Sequence, residues 1–191
     1  VEEESAWGVG FQAMFHMTNN ADLLRTRGEL EAAGFVRGSG WAMVHSTTLC
    51  LPVYEGKMVD FYDHRSASIE FRPANLFRPA QPVLTTDGEH RSADYVPEPG
   101  YWISEADAKS RVPHRWTRRW LVGFKRVTAA TNERTLVPCI LPWGPVSFTL
   151  TMLYPLRENH AGPVCLVADL SSICADWNLR QMAGQSSLPN F

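Results

Sequence analysis

The stretch that decides the fold is Arg119-Trp-Leu-Val-Gly-Phe-Lys-Arg-Val-Thr128, followed by Arg134-Thr-Leu-Val-Pro-Cys-Ile-Leu141. Both runs are rich in β-branched, aromatic and other apolar residues, a composition typical of β-strands. Only the five residues Ala129-Ala-Thr-Asn-Glu133 separate them, and a connection this short favours an antiparallel pair. The sequence therefore predicts a sheet built around these two strands.

The rest of the chain predicts further strands and three helices. Apolar alternation or β-branched composition indicates strands over 7–15, 41–54 and 146–153. Helical spacing and capping residues indicate helices over 21–33, 104–111 and 164–182. We therefore expect an α+β fold with a mixed, mostly antiparallel sheet and helices near both ends.

Five prolines punctuate the segment 72–100, at Pro73, Pro79, Pro82, Pro97 and Pro99. Proline removes a backbone donor and fixes φ, so this density excludes long regular elements and predicts a surface loop excursion. No composition shift divides the chain, and we expect one domain over 1–191. Because residue 1 is Val rather than Met, we expect the chain to be cut from a longer polypeptide and truncated at both ends.

The charge distribution favours a nucleic-acid partner although the net charge is only −2. Seven cations lie between positions 109 and 126, a stretch without any acidic residue. Segregated positive charge in a nearly neutral chain predicts one face directed at a polyanion. The seven are Lys109, Arg111, Arg115, Arg118, Arg119, Lys125 and Arg126.

Three segments, in order, carry a family resemblance. The first is Leu51-Pro-Val-Tyr-Glu-Gly-Lys-Met58 with Asp60-Phe-Tyr-Asp-His-Arg65, and the second is Trp120-Leu-Val-Gly-Phe-Lys-Arg-Val-Thr-Ala-Ala-Thr-Asn-Glu-Arg-Thr135. The third is Asp176-Trp-Asn-Leu-Arg180 with Leu188-Pro-Asn-Phe191. Together they resemble the region after the catalytic domain in large adenine-specific DNA methyltransferases. Those enzymes include type IIG restriction–modification enzymes, single-polypeptide type I enzymes and the methyltransferase of BREX phage-exclusion systems.

The resemblance implies a DNA target-recognition domain that is not catalytic by itself. Its expected partners are double-stranded DNA and the methyltransferase domain of the parent polypeptide, in the cytoplasm, with no membrane and no metal. S-adenosylmethionine is expected in that other domain, because this chain has no Pro-Pro dipeptide for an adenine pocket and no glycine-rich loop after a strand. The parent, rather than this chain, would be the adenine-N6 methyltransferase.

The candidate DNA-binding residues follow from charge and from the turn between the central strands. Phosphate contacts are expected from the basic stretch, and groove contacts from the turn, since Asn pairs with adenine and Arg with guanine. The alternative for the turn is that Asn132 caps it while Glu133 and Arg134 form a local ion pair. Lys57 and Arg65 are expected to make structural or DNA-backbone contacts rather than to read bases. The full set is Arg115, Arg118, Arg119, Lys125, Arg126, Asn132, Arg134, Lys57 and Arg65.

Two other functions remain open on the sequence. A protein-interaction module of the same kind of enzyme, contacting a partner subunit or an inhibitor, would use the tryptophans and the proline-rich segment equally well. A free-standing enzyme with a Cys–His or Asp–His pair is the third, but the sequence places no such pair together. The four cysteines show no C-x-x-C spacing, so we expect buried, reduced thiols rather than a zinc site.

Overall fold

The fold is seen in a computed structural model, which describes residues 8–72, 74–75, 79–155, 162–183 and 188. Leu188 is thus the one described residue of Leu188-Pro-Asn-Phe191. The elements in chain order are β1 Val9–Gln12, α1 Arg27–Ala32, β2 Val36–Arg37, β3 Met43–His45, β4 Thr48–Pro52, β5 Ala67–Phe71, β6 Ala80–Leu84, α2 Asp87–Arg91, β7 Trp102–Ser104, α3 Glu105–Arg111, β8 Trp120–Lys125, β9 Pro138–Pro142, β10 Leu150–Pro155, α4 Gly162–Leu170 and α5 Ile173–Met182.

The central sheet has the strand order β1-β10-β8-β9, with every neighbouring pair antiparallel. Trp120 lies opposite Pro142 and Phe124 opposite Pro138, so the predicted central pair is confirmed. The connection between its strands is longer than the five predicted residues, because β8 ends at Lys125 and β9 begins only at Pro138. Antiparallel sheets and separate helices confirm the α+β class.

Side chains of β8 are buried on both faces of the central sheet. Successive residues of a strand point to opposite faces. Leu121 therefore packs in one apolar cluster with Leu141, whereas Val122 and Phe124 pack in another against Leu179 of α5. This double coverage leaves only the two ends of β8, Trp120 and Lys125, partly exposed.

A second antiparallel sheet, ordered β2-β3-β4-β7, leads into helix α3. Trp102 of β7 is buried, and its indole N–H donates to the Trp41 carbonyl at 2.6 Å. Directly after β7, the Ser104 hydroxyl accepts the Asp107 N–H at 3.1 Å and begins α3. The predicted helix over 104–111, with its Ser104 cap, is confirmed.

The segment 72–100 is more ordered than the loop we predicted. It contains β6, which pairs with β5 over five residues, and the short helix α2, begun by a Thr86–Glu89 capping box. Pro82 stands within β6 opposite Ile69. Proline is tolerated in a strand of a two-stranded sheet, where one side of each strand is an edge. The elements are nevertheless only five residues long, in keeping with the proline spacing.

Two predicted helices were wrong in extent. The helix expected over 21–33 spans only Arg27–Ala32, because the Thr26 side chain accepts the Glu29 N–H and forms a capping box that begins the helix there. The helix expected over 164–182 is divided into α4 and α5. The Ser172 hydroxyl accepts the Ala175 N–H at 3.1 Å and begins a new helix.

The other strand predictions were right in place but not in extent. The strand predicted over 7–15 is β1, four residues long, and Trp7 lies outside the described residues. The strand predicted over 146–153 begins only at Leu150, after two isolated parallel bridges from Val146 and Ser147. Over the described part of the chain, no helix has the length and apolar character needed to span a membrane.

The cysteines differ from the prediction in part. All four are free thiols; Cys50 and Cys139 are buried, as expected, and burial raises the pKa of Cys139 to about 12. Cys165 in α4 and Cys174 in α5 are exposed instead. These two helices cover only one side of the sheet, so residues on their outer faces meet solvent.

Candidate nucleic-acid interface

The structure divides the basic stretch between the two ends of β8. Arg115, Arg118 and Arg119 lie just before the strand, whereas Lys125 and Arg126 lie at its far end. A strand rises about 3.3 Å per residue, so Arg119 and Lys125, the nearest members of the two groups, are about 20 Å apart along β8. The first two cations of the stretch belong to α3, where Lys109 is paired with Glu105 at 2.8 Å.

The group before β8 is positioned by a buried tryptophan. The indole N–H of Trp116 donates to the Trp120 carbonyl at 2.7 Å, and its ring meets Trp120 edge-on with centroids 5.4 Å apart. The Arg118 guanidinium lies 5.2 Å from the Trp116 ring centre and 4.9 Å from that of Trp120. Because Trp116 is buried, it supports Arg118 and is not itself available for stacking on DNA.

Arg115 and Arg119 are exposed on either side of this support. The Arg119 carbonyl accepts the Trp143 N–H at 3.1 Å, which fixes its backbone to the end of β9. A fixed backbone with an exposed guanidinium suits a phosphate contact, because only the side chain must be ordered on binding.

At the far end of β8 the backbone is equally well held. The Arg126 N–H donates to the Thr149 carbonyl and its carbonyl accepts the Leu188 N–H, at 2.9 and 2.8 Å. The side chains of Lys125 and Arg126 are both half-buried. They present a second, less exposed group of positive charge.

Lys57 and Arg65 are engaged inside the protein. The Lys57 ammonium donates to the Ala80 carbonyl at 2.9 Å and lies 3.2 Å from the Glu55 carboxylate. The Arg65 guanidinium donates to three carbonyls, those of His90, Ser92 and Tyr95. Lys57 therefore secures β6, and Arg65 secures the end of α2 and the chain after it.

The turn residues Asn132 and Arg134 also have local contacts. The Asn132 side chain donates to the Thr128 hydroxyl at 3.3 Å and its N–H donates to the Ala129 carbonyl at 3.0 Å. Arg134 lies 4.4 Å from the ring centre of Phe61. These contacts agree with the alternative in which Asn132 caps the turn, although Arg134 contacts an aromatic ring rather than Glu133.

Helix α5 holds this connection through two residues, Asp176 and Arg180, which belong to the third segment but were given no role from the sequence. The buried Asp176 carboxylate accepts the N–H groups of Thr135 and Leu136 at 2.8 and 2.7 Å. Arg180, one turn later, donates to the Ala130 and Glu133 carbonyls. Their four-residue spacing on one helix face was the signal that could have found them. We call this arrangement the α5 clamp.

The Asp176 carboxyl is held in its charged form by the clamp. Burial alone would raise its pKa, but hydrogen bonds from the Leu136 and Thr135 N–H groups and from Arg180 lower the pKa below its ordinary value. Together with the contact between Arg134 and Phe61, the clamp joins all three segments that carry the resemblance.

The first of those segments is built around close packing. Gly56 donates its N–H to the Thr149 hydroxyl at 2.8 Å, and a Cβ at Gly56 would come within 2.9 Å of the Thr149 carbonyl. Its neighbour Glu55 is buried, which raises the pKa of that carboxyl despite the nearby Lys57. Among the described residues nothing hydrogen-bonds the Glu55 Oε1 atom. Glu55 and Gly56 are therefore packing residues and not binding groups.

Two clefts open beside the basic group, and sequence reasoning did not anticipate them. One, of about 530 Å³, is lined by Tyr54, Tyr95 and Trp143, and the other, of about 340 Å³, by Tyr62 and Trp120. His64 lines both. We call them the His64 clefts. Their aromatic residues come from four separate stretches of chain, so no local pattern predicted them.

Comparisons with family models, with curated proteins and with solved structures find no match to this chain. Among the described residues, no group of three or more His, Cys, Asp or Glu side chains is placed to hold a metal ion.

Proposed function

We propose that this domain binds duplex DNA as the non-catalytic recognition segment of a cytoplasmic adenine-N6 DNA methyltransferase. The observation that carries the DNA contact is the acid-free basic stretch, with Arg115 and Arg119 exposed beside Arg118 at one end of β8. The methyltransferase assignment rests on the resemblance of the three segments. The methyltransferase domain would bind S-adenosylmethionine and would be this domain's protein partner.

The spacing of the two basic groups suits a DNA backbone. Each DNA strand carries one phosphate per about 3.4 Å of helix axis, so two basic groups about 20 Å apart can both contact phosphates of one duplex. Phosphate contacts of this kind set the register of a protein on DNA without reading sequence. Base readout would then come from other, nearby side chains.

The test is binding of the full chain to a random-sequence duplex over a series of salt concentrations. Each phosphate contact contributes about −0.9 to the slope of log affinity against log salt. We expect measurable binding that weakens with salt, and we expect Arg115/Arg118/Arg119→Ala to make the slope shallower by about two to three units.

A charge-matched control separates a local contact from a general effect of net charge. The triple variant Arg37/Arg72/Arg91→Ala removes three exposed cations that lie outside the basic stretch. It should bind with nearly the wild-type slope. Equal losses in both triple variants would contradict an interface at the start of β8, and no binding at low salt by a folded chain would contradict DNA binding itself.

A protein-interaction module is the second candidate, and an apolar groove favours it. The groove, of about 450 Å³, lies between the central sheet and α4–α5 and is lined by Phe11, Leu170 and Met182. Trp177 and Ile173 of α5 are also exposed, at 61% and 76%. Apolar surface of this kind is typical of protein contacts. Binding of a partner subunit or an inhibitor that is lost in Met182→Asp, by a folded chain that binds no DNA at low salt, would support it.

A further inference from the structure

The His64 clefts are neighbours, and both have aromatic walls. His64 and Pro142 line both of them. The larger cleft, at about 530 Å³, falls within the range of roughly 300 to 1,000 Å³ that small-molecule sites occupy. Its tryptophan, Trp143, is half-buried, and so is Trp120 of the smaller cleft.

The central sheet attaches these aromatic walls to the arginines of the proposed DNA interface. Trp120 lies opposite Pro142 in the β8–β9 register, and the Trp143 N–H donates to the Arg119 carbonyl at 3.1 Å. Arg118 lies 4.9 Å from the Trp120 ring centre. A DNA backbone held by these arginines would therefore pass directly beside the clefts.

The clefts also offer neutral polar groups. Within the described residues, no hydrogen bond occupies the Tyr54 hydroxyl or the ring nitrogens of His64. Burial, and next the neighbouring Arg65, lower the pKa of His64, so its ring is neutral at neutral pH and provides one donor and one acceptor. A neutral donor and acceptor can hydrogen-bond to the edge of a nucleobase, and they are less suited to binding a charged ligand.

Tyr62 stands at the opening of the smaller cleft in a strained backbone conformation. Its φ is 61°, in the left-handed region that bulky residues rarely adopt, and its side chain is 80% exposed. A two-residue turn holds it there, closed by hydrogen bonds of 2.7 and 2.9 Å between Asp60 and Asp63. Strain that is kept at an exposed aromatic residue is typical of ligand contacts.

We propose that the His64 clefts bind unpaired nucleobases, which stack on Trp120 and Trp143 while the adjacent arginines hold the phosphates. Every base has an aromatic face, and arginine beside exposed aromatic rings is the combination that binds unpaired nucleic acid. The inference rests on the proposed function, and it adds that the domain prefers DNA with a displaced base over a fully paired duplex.

The test compares two duplexes of equal length, one fully paired and one with a single bulged nucleotide, in binding to the full chain. Base–aromatic stacking predicts about tenfold tighter binding of the bulged duplex. Trp143→Leu keeps apolar bulk but removes the wide ring, and His64→Ala removes the polar contact. Both should reduce the preference to about twofold or less and leave binding of the paired duplex unchanged.

Trp177→Leu is the matched control, because Trp177 is an exposed tryptophan on α5 that lines neither cleft. It should keep the full preference. Equal wild-type affinity for the two duplexes, or a preference that survives in both Trp143→Leu and His64→Ala, would overturn the inference while leaving the proposed DNA binding intact. If the folded chain bound neither duplex, the proposed DNA binding would be wrong. The inference that the clefts bind nucleobases, which depends on it, would then be wrong as well.

Discussion

The connection between β8 and β9 and the segment that leads into β8 differ in what their polar groups do. The connection, 126–137, has its backbone N–H and carbonyl groups bonded to Asp176 and Arg180 of α5. The leading segment, 113–119, is anchored by the buried Trp116 and leaves Arg115 and Arg119 exposed. The backbone of the first region is bonded to hold the fold, whereas the second region leaves two arginine side chains exposed for a partner.

The three segments that carry the family resemblance include many groups that are already bonded inside the protein. The segments that carry the family resemblance are those that the α5 clamp and the contact between Arg134 and Phe61 join together. A side chain that is already bonded inside the protein can contact DNA only if it gives up that bond. The groups that the clamp bonds within these strings therefore belong to the scaffold, whereas three of the proposed phosphate contacts, Arg115, Arg118 and Arg119, lie outside the strings.

The largest effect is expected from Asp176→Ala. It removes the acceptor of two buried N–H groups and the partner of Arg180, and each unpaired buried donor costs about 1–3 kcal/mol. We expect a loss of about 3 kcal/mol in the free energy of unfolding, measured in urea. Asp176→Asn keeps an acceptor oxygen and should lose markedly less. If the alanine variant were as stable as wild type, the clamp would not hold the connection.

A pH series of the same variants gives a second test of the clamp. The pKa of Asp176 is lower in the folded state than the ordinary value of 3.8, so its charge stabilises the fold above that pH. The contribution is lost as the pH falls below 3.8 towards the folded-state pKa. We therefore expect the difference in unfolding free energy between wild type and Asp176→Asn to narrow at acid pH.

Other carboxyls do not disturb that comparison. The pKa values of Glu29 and Glu89 are also lowered, by hydrogen bonds from Thr26 and Thr86, but both residues are present in both variants. Their contributions cancel in the difference. A difference that stayed constant across the acid range would contradict a charged Asp176 in the clamp.

A smaller effect, confined to DNA binding, is expected from Arg115→Ala. The side chain is exposed, so stability should change by no more than about 0.5 kcal/mol. Affinity for duplex DNA at low salt should fall about threefold, with the salt slope shallower by about 0.9. Arg91→Ala, an exposed cation in α2, is the control for net charge. If Arg115→Ala lost stability but kept its affinity for DNA, the segment before β8 would have a structural role and not a binding role.

The smallest effect is expected from Asn132→Ala. Its side chain is exposed and its contact with Thr128 is long, at 3.3 Å, so we expect a stability change within about 0.5 kcal/mol and less than a twofold change in DNA affinity. A tenfold loss of affinity for one base sequence, measured over a set of duplexes, would instead make this turn a base-reading element.

Local patterns in the sequence predicted the α+β class, the central antiparallel pair and the Ser104-capped helix. Each depends on signals a few residues apart: apolar composition, a short connection, or a cap and its first turn. Helix extents were wrong where a second cap, Thr26 or Ser172, competed with apolar periodicity that ran past it. Periodicity alone does not tell one long helix from two short ones that share a face.

The sequence by itself determined where positive charge concentrates, because the absence of acids between 109 and 126 is a property of the chain alone. Only the tertiary structure decided which of those cations stay exposed, which polar groups the α5 clamp occupies, and that Tyr54, His64, Trp120 and Trp143 line adjoining clefts. The reason is physical: hydrogen-bond partners and cleft walls come from residues far apart in sequence, and only the packing of the sheets and helices sets the distances between them.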